Sequence, residues 1–143
     1  MPRQRSETRP AQALVETAIA IPVMLLIVFS VLGLVRLNNT LMAVTATARE
    51  AARAAVRAPD ADAAWDWGTS RGQQVAAEYG LDTSSQAFLL DVDVSSFEWW
   101  GEVRASATYV VNLGDIPLVR WAAISIPLHR SHAEVLDPYR SSQ

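Results

Sequence analysis

The 143-residue chain is expected to be α+β: a long N-terminal transmembrane helix continues outward and packs on a small antiparallel β-sheet. Three observations lead there. Residues 17–35, TAIAIPVMLLIVFSVLGLV, carry no charge between Glu16 and Arg36. The twenty residues after Arg36 keep small apolar side chains at helical spacing. The second half of the chain alternates apolar and polar residues with period two, in runs separated by turn signals.

The uncharged run comes first. Its 19 residues span roughly 28 Å as a helix, close to the ~30 Å hydrocarbon core of a bilayer. A core helix of a soluble protein is the weaker alternative, because so short a chain could hardly surround it. A cleaved secretory signal fits the basic opening MPRQRSETRP. The run is nevertheless longer than the usual 7–15 residues, and helix-forming sequence follows it in place of a small-x-small site. Arg3, Arg5 and Arg9 precede the span, so the N-terminus is expected in the cytoplasm and the remainder outside. Pro22 removes one backbone donor and predicts a kink, with or without a role. Glu16 stands just inside the mouth of the span. A charge costs roughly 2.5–3.5 kcal/mol at the centre of a membrane helix and less near its end, which makes this carboxylate a functional suspect.

Helical periodicity continues from Leu37 to Val56, with Ala48, Ala51, Ala52 and Ala55 at i, i+3, i+4 and i+7. Alanine is the best helix former, and its short side chain admits close approach of another element. Arg49, Arg53 and Arg57 repeat on an adjoining face, read as a solvated row or, alternatively, as a dock for acidic neighbours. Pro59 ends the run. From Gln12 to Arg57 the helix could be continuous for 46 residues, roughly 70 Å.

A short helix is expected from Thr69 to Tyr79, stopped by Gly80. Phe88, Leu90, Val92 and Val94 then alternate with Leu89, Asp91, Asp93 and Ser95, which describes a strand with one dry face. FEWWGE forms a turn. Val103, Ala105, Ala107, Tyr109 and Val111 make the inner face of a second strand. Ala122 to Glu134 makes a third, where Ile124, Ile126 and Leu128 share a face and Pro127 implies an edge or a bulge. The Ala stripe is the expected lid over the sheet that carries Phe88, Leu90 and Val92. Trp99 and Trp100, at the hairpin tip, either form a partner patch or fold back on the core, and the second reading is preferred. The domain boundaries that follow are a basic leader over 1–11, the transmembrane helix over 12–37, its outer extension over 38–58 and a small α+β domain over 59–143.

Charge and composition exclude several functions. Residues 1–57 hold seven Arg and three acids, for +4, and residues 58–143 hold five Arg and twelve acids, for −7. That split fits ends facing different compartments and argues against a nucleic-acid partner. Without cysteine there is no disulfide framework and no thiol chemistry. His129 and His132 of HRSH would point to opposite faces of a strand, which is poor for a shared metal. Asp91 and Asp93 could hold Ca²⁺ with help, but read more simply as wet-face acids. No phosphate loop and no G-x-S-x-G occurs, so no enzyme, metal or other cofactor is expected.

AQALVETAIAIPVMLLIVFSVLGLVRLNNTLMAVTATAREAARAA resembles the N-terminal signature of TadE-like proteins, pseudopilins of the tight-adherence (Tad/Flp) pilus in the type IV pilin superfamily. The closing AEVLDPYR is similar as well. In that family a basic leader ends in Gly or Ala, a prepilin peptidase cuts after it, and Glu stands fifth in the mature chain. The resemblance places the cut between Ala11 and Gln12, which makes Glu16 fifth. It implies a pilin-like lollipop and the role of a minor pilin-like subunit or assembly factor. Its implied partners are membrane lipid, the prepilin peptidase, other pilin subunits and Tad inner-membrane assembly proteins. Glu16 would pair with the new α-amine of Gln12, on a neighbouring subunit. The alternative is a single-pass signal-anchored envelope protein whose outer domain binds a partner or ligand.

Overall fold

The computed structural model describes residues 8–98, 100–114 and 124–136. Helix α1 runs from Thr8 to Ala55 without a break, 48 residues with Pro22 inside it. Helix α2, Ala61–Glu78, turns back along its outer half. A three-stranded antiparallel sheet follows, with β1 (Phe88–Asp93), β2 (Glu102–Asn112) and β3 (Ser125–Val135) in spatial order β1-β2-β3. The α+β arrangement expected from the sequence is the one observed, a long apolar N-terminal helix packed on a small sheet.

The two halves of α1 meet different surroundings. Among residues 12–35 nearly every side chain is exposed, including Leu14, Ile19, Met24 and Leu34. This helix is long and apolar enough to cross a membrane. From Ala43 onward one face is fully covered: Ala43, Val44, Thr47, Ala48, Ala51, Ala52 and Ala55 are buried. The Thr47 hydroxyl satisfies itself by donating to the Ala43 carbonyl, 2.9 Å away.

Alanine on this face lets α2 come close. Ala64, Gly68, Gly72, Val75 and Ala76 are the buried residues of α2, spaced along one helical face. A Cβ built on Gly68 would lie 3.1 Å from the Ala55 Cβ and 3.2 Å from the Ala51 carbonyl oxygen. One built on Gly72 would lie 2.6 Å from a Leu90 methyl and 3.1 Å from the Ala51 Cβ. The glycines therefore act as seats for neighbouring side chains, where elsewhere in a helix they would only weaken it.

Helix α2 is longer than expected, starting eight residues before Thr69. Asp60 is the reason: its side-chain oxygen accepts from the Ala63 N–H at 2.8 Å and caps the first turn. The predicted stop holds. Gly80 takes φ +76°, and the Gly80 and Leu81 N–H groups return to the carbonyls of Ala77 and Ala76, both at 2.9 Å.

The core also departs from expectation in its lid. The Ala stripe is buried against Val92, Val103 and Ala105, yet α1 lies mainly over β2 and β3, and α2 contributes the cover of β1. Strand β3 is an edge, so Pro127 sits where a missing donor is tolerated. It begins at Ser125. Ile124 precedes it and is exposed, while Ala122 and Ala123 lie outside the described residues. Ile126 and Leu128 are half-buried, and the same face continues as His132 and Glu134, with Arg130 between them exposed. Trp100 is 70 % exposed at φ +67°, so the preferred reading that it folds back on the core is wrong. Its place in a tight turn between β1 and β2 turns the ring outward. Trp99 lies outside the described residues.

Candidate functional site

The first turns of α1 carry the residues singled out from sequence. Ala11 is within the helix. Gln12 and Glu16 are exposed one turn apart, and the Gln12 Nε2 donates to the Glu16 Oε1 at 3.3 Å. Thr17 closes its hydroxyl onto the Ala13 carbonyl at 2.8 Å, so the next polar side chain presents no free donor to its surroundings. Glu16 is then the one acid on α1 before Glu50, at the foot of an exposed apolar rod. The arrangement places one carboxylate at the edge of an exposed apolar surface, where a lone charge near hydrocarbon would be costly.

On the head, the outer part of the molecule that holds α2 and the sheet, the remaining candidates are dispersed. His129 meets the Thr108 hydroxyl through Nδ1 at 2.9 Å, while His132 meets the Glu134 carboxylate through Nε2 at 3.2 Å. Thr108 is opposite His129 in register, on the outer face, and His132 points inward, so the two rings share no site. Asp91 and Asp93 do share the outer face of β1. Asp93 accepts from the Ser95 N–H at 2.9 Å. Hydrogen bonds from Ser95, and then the Arg104 charge across the strand pair, hold its carboxyl below the ordinary range. Arg104 is itself engaged with Glu102 at 2.8 Å. Asp93 and Arg104 thus have partners already, and Asp91 is exposed beside them.

In the Arg row, Arg53 bridges Glu50 at 3.5 Å and Glu134 of β3 at 3.8 Å. It tacks the sheet edge to the helix from within the same chain. Both partners are partly solvated, so the bridge contributes little, on the order of 0–1 kcal/mol. Trp65 and Trp67 are half-exposed at the start of α2, and Trp121 lies outside the described residues.

Sequence reasoning missed the part α2 plays in covering the core. The signal was present in the spacing Ala64, Gly68, Gly72, Val75, Ala76. It also missed a cleft lined by Arg36, Asn39, Tyr79 and Tyr109, because these residues come from three separate elements.

No curated protein and no solved structure matches the chain. A family model does, and it covers Glu16, the exposed rod and most of the Ala face while leaving α2 and the sheet outside. Over residues 11–53 this chain is a match to the family of TadE-like proteins, which is associated with the Tad pilus.

Proposed function

We propose that the chain is a minor pilin-like subunit or assembly factor of a Tad-type pilus, acting by membrane insertion and helix packing. The observation that carries this reading is Glu16 at the foot of an exposed helical run, residues 17–35, that holds no charge, within the segment that matches the family. The span over 12–37 anchors the chain once in the plasma membrane. The leader, 1–11, stays cytoplasmic, and the extension 38–58 with the head, 59–143, stands outside. A prepilin peptidase removes the leader between Ala11 and Gln12. That bond lies inside the first turns of α1, so cutting requires local unwinding, which is cheap at a helix end.

Docking then follows from charge. Cleavage leaves an α-amine on Gln12, and pairing it with Glu16 of a neighbouring subunit lowers the cost of holding either charge near hydrocarbon. The own-chain Gln12–Glu16 contact is exposed and competes weakly, since an isolated i,i+4 pair contributes only about 0.2–0.5 kcal/mol. Other pilin subunits and the inner-membrane assembly proteins of the system are the partners this implies.

Two variants test the reading. Ala11→Leu should leave the leader on, because such peptidases need a small residue before the cut; a product of wild-type size would show the assigned site to be wrong. Glu16→Gln should keep membrane insertion and weaken crosslinking to other subunits. Equal crosslinking by both proteins would leave Glu16 only its attraction to the helix dipole. An intact leader on the membrane-extracted wild type would favour the envelope-anchor alternative.

A further inference from the structure

Where the head begins, a cleft of about 920 Å³ opens between residues 32–42 of α1, the C-terminal end of α2 and the Asn112 end of β2. Its α1 wall changes character along the helix axis. Leu32 and Val35, both exposed, belong to the uncharged run; Arg36 and Asn39 occupy the next turn. Tyr79 lines the cleft from the end of α2 and Tyr109 from β2.

That order matches the profile of a bilayer surface. Residues 36–40 cover about 6 Å of helix, comparable to the headgroup layer that adds some 5–8 Å to each side of a ~30 Å hydrocarbon core. Tyrosine rings favour this depth, with the ring on the apolar side and the hydroxyl in the wet layer. Arginine is suited to phosphate by its charge and forked donors, and an Asn amide adds a further donor. Glu78 also lines the cleft, but Arg71 lies 3.5 Å from its carboxylate and the Gln74 amide donates to it at 2.9 Å, so its charge is offset.

We propose that this cleft holds one membrane phospholipid, with its phosphodiester at Arg36 and Asn39, its acyl chains along Leu32 and Val35, and its headgroup between Tyr79 and Tyr109. The site fixes how deep the head sits on the membrane. It rests on the reading of α1 as a membrane anchor.

The full chain, reconstituted in vesicles of phosphatidylcholine and phosphatidylglycerol, tests both readings separately. A photoreactive residue, Tyr79→p-benzoylphenylalanine, should yield a lipid adduct by mass. The same residue at Trp67, 12 positions back along α2 and roughly 18 Å away, should yield none. Arg36→Gln should lower the Tyr79 adduct to about a tenth, the loss of one charge-assisted contact, and Arg36→Lys should restore most of it. Vesicle flotation is read in parallel. A chain that floats but gives no adduct at Tyr79, gives one to a second copy of the protein, or labels lipid equally from Trp67 overturns the lipid site and leaves the anchor standing. A chain that fails to float overturns both.

Discussion

The inner and outer halves of α1 are continuous in backbone and opposite in side-chain size. Residues 17–35 hold Leu, Ile, Val and Met side chains, and these are the exposed ones; Met24 and Leu34 each reach 68 %. From 43 to 55 the buried positions are mostly alanine, at 0–1 %. Burial and hydrophobicity thus run in opposite directions along one helix. The difference teaches what each half has as its neighbour. Lipid tails accept any apolar bulk, whereas a second backbone at close range accepts only a methyl group or less.

The largest effect should come from charging the inner half. Ile27→Arg near the middle of the span should cost roughly 2.5–3.5 kcal/mol of insertion, enough to move most of the protein out of the membrane fraction. The melting of the head should not change, which separates the two halves. Overpacking the outer half should do the reverse. Ala52→Leu should cost the head about 1–3 kcal/mol and lower its thermal midpoint, with flotation unaffected. Arg53→Leu, whose native side chain is half-exposed, should shift that midpoint by less than a third as much. Equal shifts for these two neighbours would mean that the wrong face has been assigned to the core.

Smaller effects sharpen the account of the head. Nothing lies within 4 Å of a Cβ built on Gly80, so Gly80→Ala isolates the cost of φ +76°. That should be about 1 kcal/mol by chemical denaturation, with no loss from crowding. The smallest effect is electrostatic. Asp82 is held below the ordinary value of 3.8 by hydrogen bonds from Ser84, whose hydroxyl lies at 2.6 Å and whose N–H lies at 3.1 Å. A lowered folded-state value contributes stability above the unfolded one, and that stability is lost as pH falls through the folded value. Melting of the wild-type head should therefore drop below about pH 4, and Asp82→Asn should flatten the drop slightly. The same melts of a variant with an unaltered profile would show that the Asp82 turn does not contribute.

Much of this design could be read from sequence, for reasons that differ by element. The span announces itself by the lack of charge from Thr17 to Val35, and β1 and β2 by strict alternation against a single covered face. The limits of α2 were hidden because Pro59, Asp60 and Gly68 all look like loop residues. In place, Asp60 is a cap and Gly68 is a close contact, roles that depend on what stands next to them. The inward His132 and Glu134 of β3 were equally unforeseen as a set, since an edge strand can overhang the core and leave its inner face partly wet. The exposed Trp100 follows from a left-handed turn residue that composition alone would not assign to tryptophan. At the candidate site, the Gln12–Glu16 spacing was visible as one helical turn, while the cleft at Arg36 needed the fold to assemble it.

The unbroken run of α1 makes the molecule a lever. Ala55 lies 33 residues beyond Pro22, an arm of roughly 50 Å. A change of about 20° at that proline would sweep the head sideways by some 17 Å, more than its own helices are wide. On the proposed membrane reading, small reorientations of the span, such as those a neighbouring helix would impose on docking, would become large excursions of the head. No flexible joint lies between them to absorb the motion, because the chain stays helical from the span to the floor of the head.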